Sequence, residues 1–426
     1  MESRICNALY MNHPAVILIL GAVLIFCYGL VSRLAERSPI TAPMVFVAIG
    51  ILASPLVTGI LSVKIDAGLV QIIASVTLVL ILFVDASTIS VPSLIRERRL
   101  PMRLLLIGLP LTMLFGSIAG FLIFQDMKVW VVLLMALILS PTDAALGQAV
   151  VTNPAVPERI RRAINVESGL NDGMALPPIL VCIAVLSEAG TGDTGTHYWI
   201  NFTLKQLILG PVAGIIVGWL GGLIVDKASR AGWMNETYQR LSSASLAVIA
   251  YASAEAMHGN GFMAAFFSGL ALGTRTPSVR ERIHEFAEAE GQQLALFIFL
   301  MLGLIMVPLT IQYWDIRAWL YAILSLTVIR MMPVALSLIG SKLDRGSVSF
   351  IGWFGPRGIA SILYMLIVVG RIGKSGYEYM LSVIVLTVLL SVFLHGISAV
   401  PLAHIYGRYA SKIGLMAEEN STEKTG

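Results

Sequence analysis

The sequence contains few charged residues and few cysteines. Asp, Glu, Lys and Arg make up 13% of its 426 residues, whereas 57% are hydrophobic; a soluble protein has about 25% charged residues. So few polar groups cannot cover a water-soluble surface, which excludes a soluble enzyme as well as a disordered or fibrous chain. The three cysteines are isolated from one another in the sequence, which excludes a disulfide framework and a thiolate metal cluster.

Common catalytic motifs are also lacking. HExxH and GxSxG are absent, and Gly373-Lys374-Ser375 does not complete a nucleotide-binding loop because Val368 stands where the upstream glycine is required. The six histidines are scattered, and we assign none of them to a metal. We therefore expect a protein that is not an enzyme, needs no cofactor and binds no nucleic acid.

Hydrophobic residues occur in blocks of about twenty, the length of a helix that crosses the hydrocarbon core of a membrane. We predict an all-α polytopic membrane protein with about thirteen transmembrane helices. The predicted spans cover residues 12–32, 39–60, 67–91, 101–124, 129–150, 163–187, 203–225, 241–257, 260–274, 286–310, 317–340, 348–370 and 377–406.

Positive charges are divided unequally between the two sides of this topology. Of the 29 Lys and Arg residues, 20 fall on one side and 7 on the other, while Arg330 and Arg357 lie inside spans. Cytoplasmic loops carry the excess of Lys and Arg in membrane proteins. We therefore expect a multi-pass protein of the cell membrane, with its N-terminus outside and its C-terminus in the cytoplasm.

An acidic cluster in the middle of span six is the main candidate site. Ionisable residues deep in a membrane cost roughly 2.5–3.5 kcal/mol each on insertion, so they usually mark ion pathways. Asp172 follows Arg162 by ten residues, which places it about 15 Å into the bilayer. Ser168 shares its helix face, and Glu167 and Asn171 share the neighbouring face. These oxygens are hard ligands suited to a small alkali cation; a structural Asp paired with an Arg is the alternative.

Two spans are interrupted by proline. SPTD at 140–143 breaks span five, and GPRG at 355–358 breaks span twelve. Proline removes a backbone donor and frees carbonyl groups within a helix. Either break alone also fits an ordinary proline kink. Together, in spans that run in opposite directions, they indicate a transporter whose binding site is made of discontinuous helices in an inverted repeat.

Arg330 lies near the centre of span eleven, where an unpaired guanidinium would be unstable. We hypothesise that it pairs with Glu167, which leaves Asp172 free to titrate; a purely structural ion pair is the alternative. Asp85 in span three and Glu255 near the outer end of span eight are weaker candidates. Each of these two would line an aqueous funnel or sit in solvent.

Small residues recur at every fourth position of span seven, at Gly210, Gly214, Gly218 and Gly222. Such a ridge allows two helices to approach closely in a membrane. The partner helix belongs either to the same bundle or to a second copy of the chain, and the sequence does not choose between them.

Three motifs, SPTDA at 140–144, ESGLND at 167–172 and GPRG at 355–358, carry a family resemblance. In order and spacing they resemble those of bacterial NhaP-type Na⁺/H⁺ antiporters, in the monovalent cation:proton antiporter superfamily that includes the eukaryotic NHE exchangers. The resemblance begins at FVDAS, residues 83–87, and continues to the last span. One departure is Ala144, where many relatives have proline.

The resemblance implies an NhaA-like inverted-repeat fold with two discontinuous, crossing helices. It implies a homodimer in the lipid membrane, in which a core moves against a scaffold within a transporter domain at 1–416. The scaffold would cover about 12–91 and 203–310, and the core about 101–187 and 317–406, before a short cytoplasmic tail at 417–426.

The resemblance also assigns roles to individual residues. Asp172 would bind either the cation or the proton, helped by Asn171, Ser168, Thr142 and Asp143. Sodium would be held by Asp172, Ser168, Thr142 and Asp143. Glu167, Arg330 and Arg357 would support this site.

We therefore predict a secondary active antiporter that exchanges a monovalent cation for H⁺ by alternating access. Na⁺ is the expected cation, with Li⁺ and K⁺ also considered. Asn171 stands where the electrogenic branch of the superfamily has a second Asp, so exchange is expected to be electroneutral, 1:1. The alternatives are a K⁺/H⁺ antiporter, a K⁺ efflux system, a cation channel, for which no TVGYG-like filter is present, and a non-transporting sensor.

Overall fold

The computed structural model describes residues 14–35, 38–58, 67–88, 99–188, 196–275 and 280–412, and these segments are helical with short connections. The tail predicted at 417–426 and the N-terminal residues lie outside this described part. The helices in it are α1 Pro14–Ala35, α2 Ala42–Ala53, α3 Ala67–Thr88, α4 Arg99–Ile123, α5 Val129–Ile138, α6 Ala144–Val151, α7 Glu158–Glu188, α8 Thr196–Arg230, α9 Glu236–Ala256, α10 Gly261–Arg275, α11 Arg280–Thr310, α12 Ile316–Leu326, α13 Val328–Ser337, α14 Arg345–Trp353, α15 Ile359–Ile372 and α16 Glu378–Lys412.

Two of the long helices contain a wide π-helical turn. In α4 this turn is Leu104–Gly108, and in α11 it is Leu302–Met306. Each turn ends two residues before a proline, Pro110 in α4 and Pro308 in α11. Proline cannot donate to the helix ladder, and local π geometry is one way in which a membrane helix accommodates the freed backbone groups.

Seven helices in the described residues have the length and apolar composition needed to cross a membrane. Five shorter apolar helices, of 10–17 residues, accompany them: Ala42–Ala53, Ile72–Ser87, Val129–Ile138, Gly261–Thr274 and Ile359–Ile372. The chain is thus an all-α, multi-pass membrane protein. The count of thirteen crossings stays a prediction, because several predicted spans are divided or shortened in the structure.

The proline-containing breaks divide two predicted spans. Span five becomes α5 and α6, which are separated by residues 139–143, and span twelve becomes α14 and α15, which are separated by residues 354–358. A third interruption lies in span eleven, where Thr327 (φ −114°, ψ −94°) separates α12 from α13. Neither glycine nor proline marks this third position, so no local signal in the sequence predicts it.

The glycine ridge of α8 packs within the chain. A side chain added at Gly210, Gly214 or Gly218 would collide with backbone atoms of α10 and the residue before it, at Asn260, Ala264 and Ser268 respectively. The opposite face of α10 is equally close to α3, because Gly269 and Gly273 lie against the carbonyl groups of Phe83 and Ser87. Small residues therefore fix α8, α10 and α3 as one closely packed layer.

Candidate functional site

The two interrupted helices meet at their breaks. The amide of Asp143 donates to the carbonyl of Pro356 at 2.8 Å. From the other break, Arg357 donates through Nη1 to the carbonyls of Ser140 (2.8 Å) and Pro141 (3.1 Å). The guanidinium thus satisfies carbonyl groups that the end of α5 leaves without a helical partner. The backbone of each break is completed by groups from the other.

The carboxylate of Asp143 joins the beginnings of both second half-helices. Its Oδ1 accepts a hydrogen bond from the amide of Leu146 in α6 at 3.1 Å, and its Oδ2 accepts from the amide of Ile359, the first residue of α15. A carboxylate is favoured at the positive N-terminal end of a helix. Gly358 permits this approach, because a Cβ atom there would overlap the Asp143 carboxylate.

Three of the predicted site residues form a buried hydrogen-bonded chain. Asn171 donates through Nδ2 to Thr142 Oγ1 at 2.6 Å, and the hydroxyls of Thr142 and Ser168 hydrogen-bond to each other at 3.0 Å. All three side chains are buried. This chain ties the break before α6 to the middle of α7.

Asp172 lies beside this chain and is 5% exposed. Its Oδ1 accepts no hydrogen bond from the described residues. Its backbone carbonyl accepts a hydrogen bond from the hydroxyl of Tyr364 in α15, at 2.8 Å. The side chain is therefore available to a ligand, while its backbone is held by the second interrupted helix. Sequence reasoning missed Tyr364, because a tyrosine that bonds to a backbone carbonyl carries no motif.

A cavity of about 420 Å³ reaches this carboxylate. Four acids line it, namely Asp85, Asp143, Asp172 and Glu158, together with Arg162; Glu158 and Arg162 come from the first turns of α7. Glu158 and Asp172 are 14 residues apart on one helix, so the cavity extends over roughly 20 Å. Its other lining residues include Gln148, Thr152, Arg161, Asn165 and Gln292.

The two funnel candidates are placed differently. Asp85 lines the cavity with Asp172. Glu255 is not among the lining residues, and its Oε1 instead accepts a hydrogen bond from the amide of Gly261 at 3.0 Å. It therefore holds the turn between α9 and α10, a backbone role that its position near the end of a span does not reveal.

Arg330 and Glu167 form a buried bidentate ion pair. Nη1 lies 2.5 Å from Oε1 and Nη2 lies 2.8 Å from Oε2, and the two side chains are 1% and 2% exposed. This is the pairing hypothesised from the sequence. It joins α13 to α7 one turn before Asp172, and Gly355 leaves room for the guanidinium because a Cβ there would overlap Arg330.

Comparison with known proteins places this site in a family. The family described as sodium/hydrogen exchanger, transmembrane, matches residues 21–404. The chain belongs to the sodium/hydrogen exchanger family. The family resemblance inferred from the three sequence motifs is therefore confirmed.

The chain is similar to several curated relatives. It is 25% identical over 389 residues to the K⁺/H⁺ antiporter NhaP2 of Shewanella oneidensis, covering 91% of this chain and 66% of the relative. It is 28% identical over 365 residues to the K⁺/H⁺ antiporter NhaP of Alkalimonas amylolytica, covering 82% and 60%. The chain thus spans about two thirds or less of the length of these relatives.

A solved structure shares the fold of this chain. The sodium proton antiporter MjNhaP1 of Methanocaldococcus jannaschii, at pH 8, superposes with a TM-score of 0.72. The match covers 91% of this chain and 98% of that one, at 22% identity. The predicted antiporter-type, all-helical fold is confirmed by this likeness.

Proposed function

We propose that this protein is a secondary active antiporter that exchanges a monovalent cation for H⁺ across a membrane. The observation that carries the proposal is the placement of Asp172. Its carboxylate is buried, one of its oxygens accepts no hydrogen bond from the described residues, and a cavity lined by three further acids reaches it. Membership of the family supports the same activity.

One carboxylate that binds a proton or a cation, but not both together, couples the two fluxes. An ionised carboxylate without a counter-charge is costly to move through a low-dielectric interior, so only the protonated and the cation-loaded forms cross readily. Glu167 is already neutralised by its ion pair with Arg330, and Asp143 is held by two backbone amides. Asp172 has no such partner at Oδ1 among the described residues, so it is the group whose charge changes in the proposed exchange.

We further propose that the cation is held by Asp172, Ser168, Thr142 and Asp143. The hydroxyls of Ser168 and Thr142 are close together and buried beside α7, and Asn171 fixes the hydroxyl of Thr142. Asp143 already accepts two amide hydrogen bonds, but an ionised carboxylate offers about four acceptor positions. It keeps capacity for a cation while it holds the two helices.

The cation is Na⁺ in this proposal, with K⁺ as the second candidate. MjNhaP1 is named a sodium proton antiporter, whereas the curated relatives are named K⁺/H⁺ antiporters.

Because Asn171 supplies an amide and no second charge, the proposed exchange is electroneutral. We place the protein in the cell membrane as a homodimer with a cytoplasmic C-terminus, and the core at 101–187 and 317–406 moves against the scaffold at 12–91 and 203–310.

Proteoliposomes that contain a pH-sensitive dye test the proposal. Addition of NaCl, KCl or LiCl outside acid-loaded vesicles should cause proton efflux, whereas choline chloride should not. Asp172→Asn should abolish the response and leave the protein folded, because an amide cannot exchange a proton for a cation. Asp126→Asn is the matched control, since Asp126 is an exposed partner of Arg317 and should exchange as the wild type does.

Two results would contradict the proposal. Retained exchange in Asp172→Asn would place the binding carboxylate elsewhere. Cation flux that follows the membrane potential without any proton movement would indicate a channel or an efflux system instead of an antiporter.

A further inference from the structure

The last long helix, α16, contacts both ends of the break between α14 and α15. Ser391 and His395 lie one turn apart on it, and both are buried. Ser391 Oγ accepts a hydrogen bond from the backbone amide of Arg357 at 2.7 Å, just before α15 begins. His395 Nε2 lies 2.9 Å from the carbonyl of Trp353, the last residue of α14.

These contacts form a continuous chain across the break. His395 Nδ1 is 3.2 Å from Ser391 Oγ and 3.1 Å from the Ser391 carbonyl. The Trp353 carbonyl can only accept, so the Nε2 atom of His395 must carry a hydrogen. Nδ1 faces both the Ser391 hydroxyl, which can donate, and the Ser391 carbonyl, which in the helix accepts from the backbone amide four residues on. With its proton on Nε2, the neutral ring accepts at Nδ1 from the hydroxyl, which itself accepts from the amide of Arg357.

The aromatic surroundings fix the position of this ring. The indole of Trp353 lies beside the imidazole with 5.1 Å between ring centroids, and its Nε1 donates to Ser398 Oγ at 3.0 Å. The end of α14 is thus bound to α16 by a backbone carbonyl and by a side chain. The charged groups whose electrostatic interactions reach His395 are Arg357 and Arg330, so a second ring proton would face two cations.

The segment held in this way carries groups that build the candidate site. Arg357 reaches from it to the carbonyls of Ser140 and Pro141. Ile359 follows it and donates to the carboxylate of Asp143. A shift of residues 353–357 relative to α16 would therefore move groups that position Thr142 and Asp143.

We propose that His395, together with Ser391, is a positioning residue for exchange. It acts as a neutral hydrogen-bond donor that sets the distance between the two half-helices of the break, and it neither binds the cation nor carries the transported proton. The proposal concerns geometry at the break and therefore goes beyond the binding role proposed for Asp172.

Substitutions at His395 separate positioning from proton binding. His395→Gln keeps an N–H donor near the Nε2 position, whereas His395→Asn places its amide near Nδ1 and does not reach the Trp353 carbonyl. We expect His395→Gln to keep exchange within about twofold of the wild type. His395→Asn should raise the apparent Km for the cation by about tenfold, the effect of losing a hydrogen bond worth about 1.4 kcal/mol.

The control lies on the same helix. His404 is exposed, and its Nδ1 contacts only the carbonyl of Val400 one turn earlier among the described residues. His404→Asn should leave both the Km and the maximal rate unchanged. Ser391→Ala should resemble His395→Asn, and the double variant should be no worse than either single variant, because both interrupt one chain.

A measurement that does not depend on transport completes the test. Deuterium exchange followed by mass spectrometry should show faster exchange of the amide of Arg357 in His395→Asn and Ser391→Ala than in the wild type, His395→Gln or His404→Asn. This measurement does not require transport. If the wild type shows no antiport, the proposed function is wrong, but the deuterium exchange still tests the positioning role of His395.

Specific outcomes would overturn the positioning role. One is equal behaviour of His395→Gln and His395→Asn in both the Km and the deuterium exchange. Another is a shift of the pH profile of exchange in His395→Gln, which would identify His395 as a titrating group in the cycle.

Discussion

Two regions of this protein are held together by opposite means. Where α8 packs on α10, glycines bring backbone against backbone, so that contact depends on the absence of side chains. Where the interrupted helices meet, Arg357, Asp143 and Ser391 complete freed backbone groups one by one. The first region is sensitive to added volume and the second to the loss of single polar atoms. The two regions should therefore respond differently to added volume and to lost hydrogen bonds.

The largest expected effect is in the polar region. Arg330→Met leaves Glu167 as a buried charge without its partner, and breaking such a pair typically costs about 3–5 kcal/mol. We expect a strong loss of thermal stability in detergent, measured by unfolding followed by fluorescence. The double variant Arg330→Met/Glu167→Leu should recover much of this loss, because it leaves no buried charge at these two positions. Equal destabilisation of the single and double variants would contradict the ion-pair explanation.

The packed layer should respond to volume alone. Gly214→Ala places a methyl group against the backbone of Ala264, and overpacking of this kind costs about 1–3 kcal/mol. Gly29→Ala is the matched control, because a Cβ at Gly29 meets nothing within 4 Å and alanine favours the helix. Thermal unfolding should show a loss for the first variant and no loss for the second. A neutral Gly214→Ala would show that α8 and α10 separate easily.

A third substitution adds volume to the polar junction. Gly358→Ala would overlap the carboxylate of Asp143 and separate it from the amide of Ile359. We expect exchange to fall by about tenfold, equivalent to 1.4 kcal/mol, while the protein still folds. Gly147→Ala in α6 is the control, since a Cβ there meets nothing within 4 Å. Unchanged exchange in Gly358→Ala would mean that the shared carboxylate is dispensable.

The smallest effect is expected at the beginning of α14. Partial burial raises the pKa of Asp344, but hydrogen bonds from Ser347, Tyr409 and the amide of Gly346 together lower it below its usual value. Because the pKa is lower in the folded state, the carboxylate adds stability that is present above about pH 4 and is lost as the pH falls through the folded value.

Asp344→Asn should remove this dependence. Its unfolding temperature should fall less between pH 5 and pH 3 than that of the wild type, and Asp126→Asn should follow the wild type. If the unfolding temperatures of Asp344→Asn and the wild type fell equally between pH 5 and pH 3, these hydrogen bonds would not favour the charged form of the carboxyl group.

The features that could be predicted from the sequence are those that are costly without a partner. Proline within a span and ionisable residues within a membrane are unfavourable unless neighbouring groups compensate them. The breaks at 140–143 and 355–358 and the pairing of Glu167 with Arg330 belong to this class, because their residue types mark them. The cluster of Thr142, Ser168 and Asn171 also comes together as expected.

Other features depend on backbone groups, which residue identity does not mark. The division of the Asp143 carboxylate between two amides, the bond from Tyr364 to a carbonyl, and the break at Thr327 have no motif. The hydrogen bond that Glu255 accepts from the amide of Gly261 likewise has no motif in the sequence. Such partners are set by the approach of distant helices, and the sequence of a single span does not contain that information.

The position of Asp143 has a mechanical consequence. Its one side chain links two half-helices that come from different interrupted spans, so neither span can adjust its own end of the junction independently. A metal ion that binds this carboxylate acts on α6 and α15 at once. In the proposed cycle, arrival and departure of the ion would be transmitted to both spans together, through a single carboxyl group.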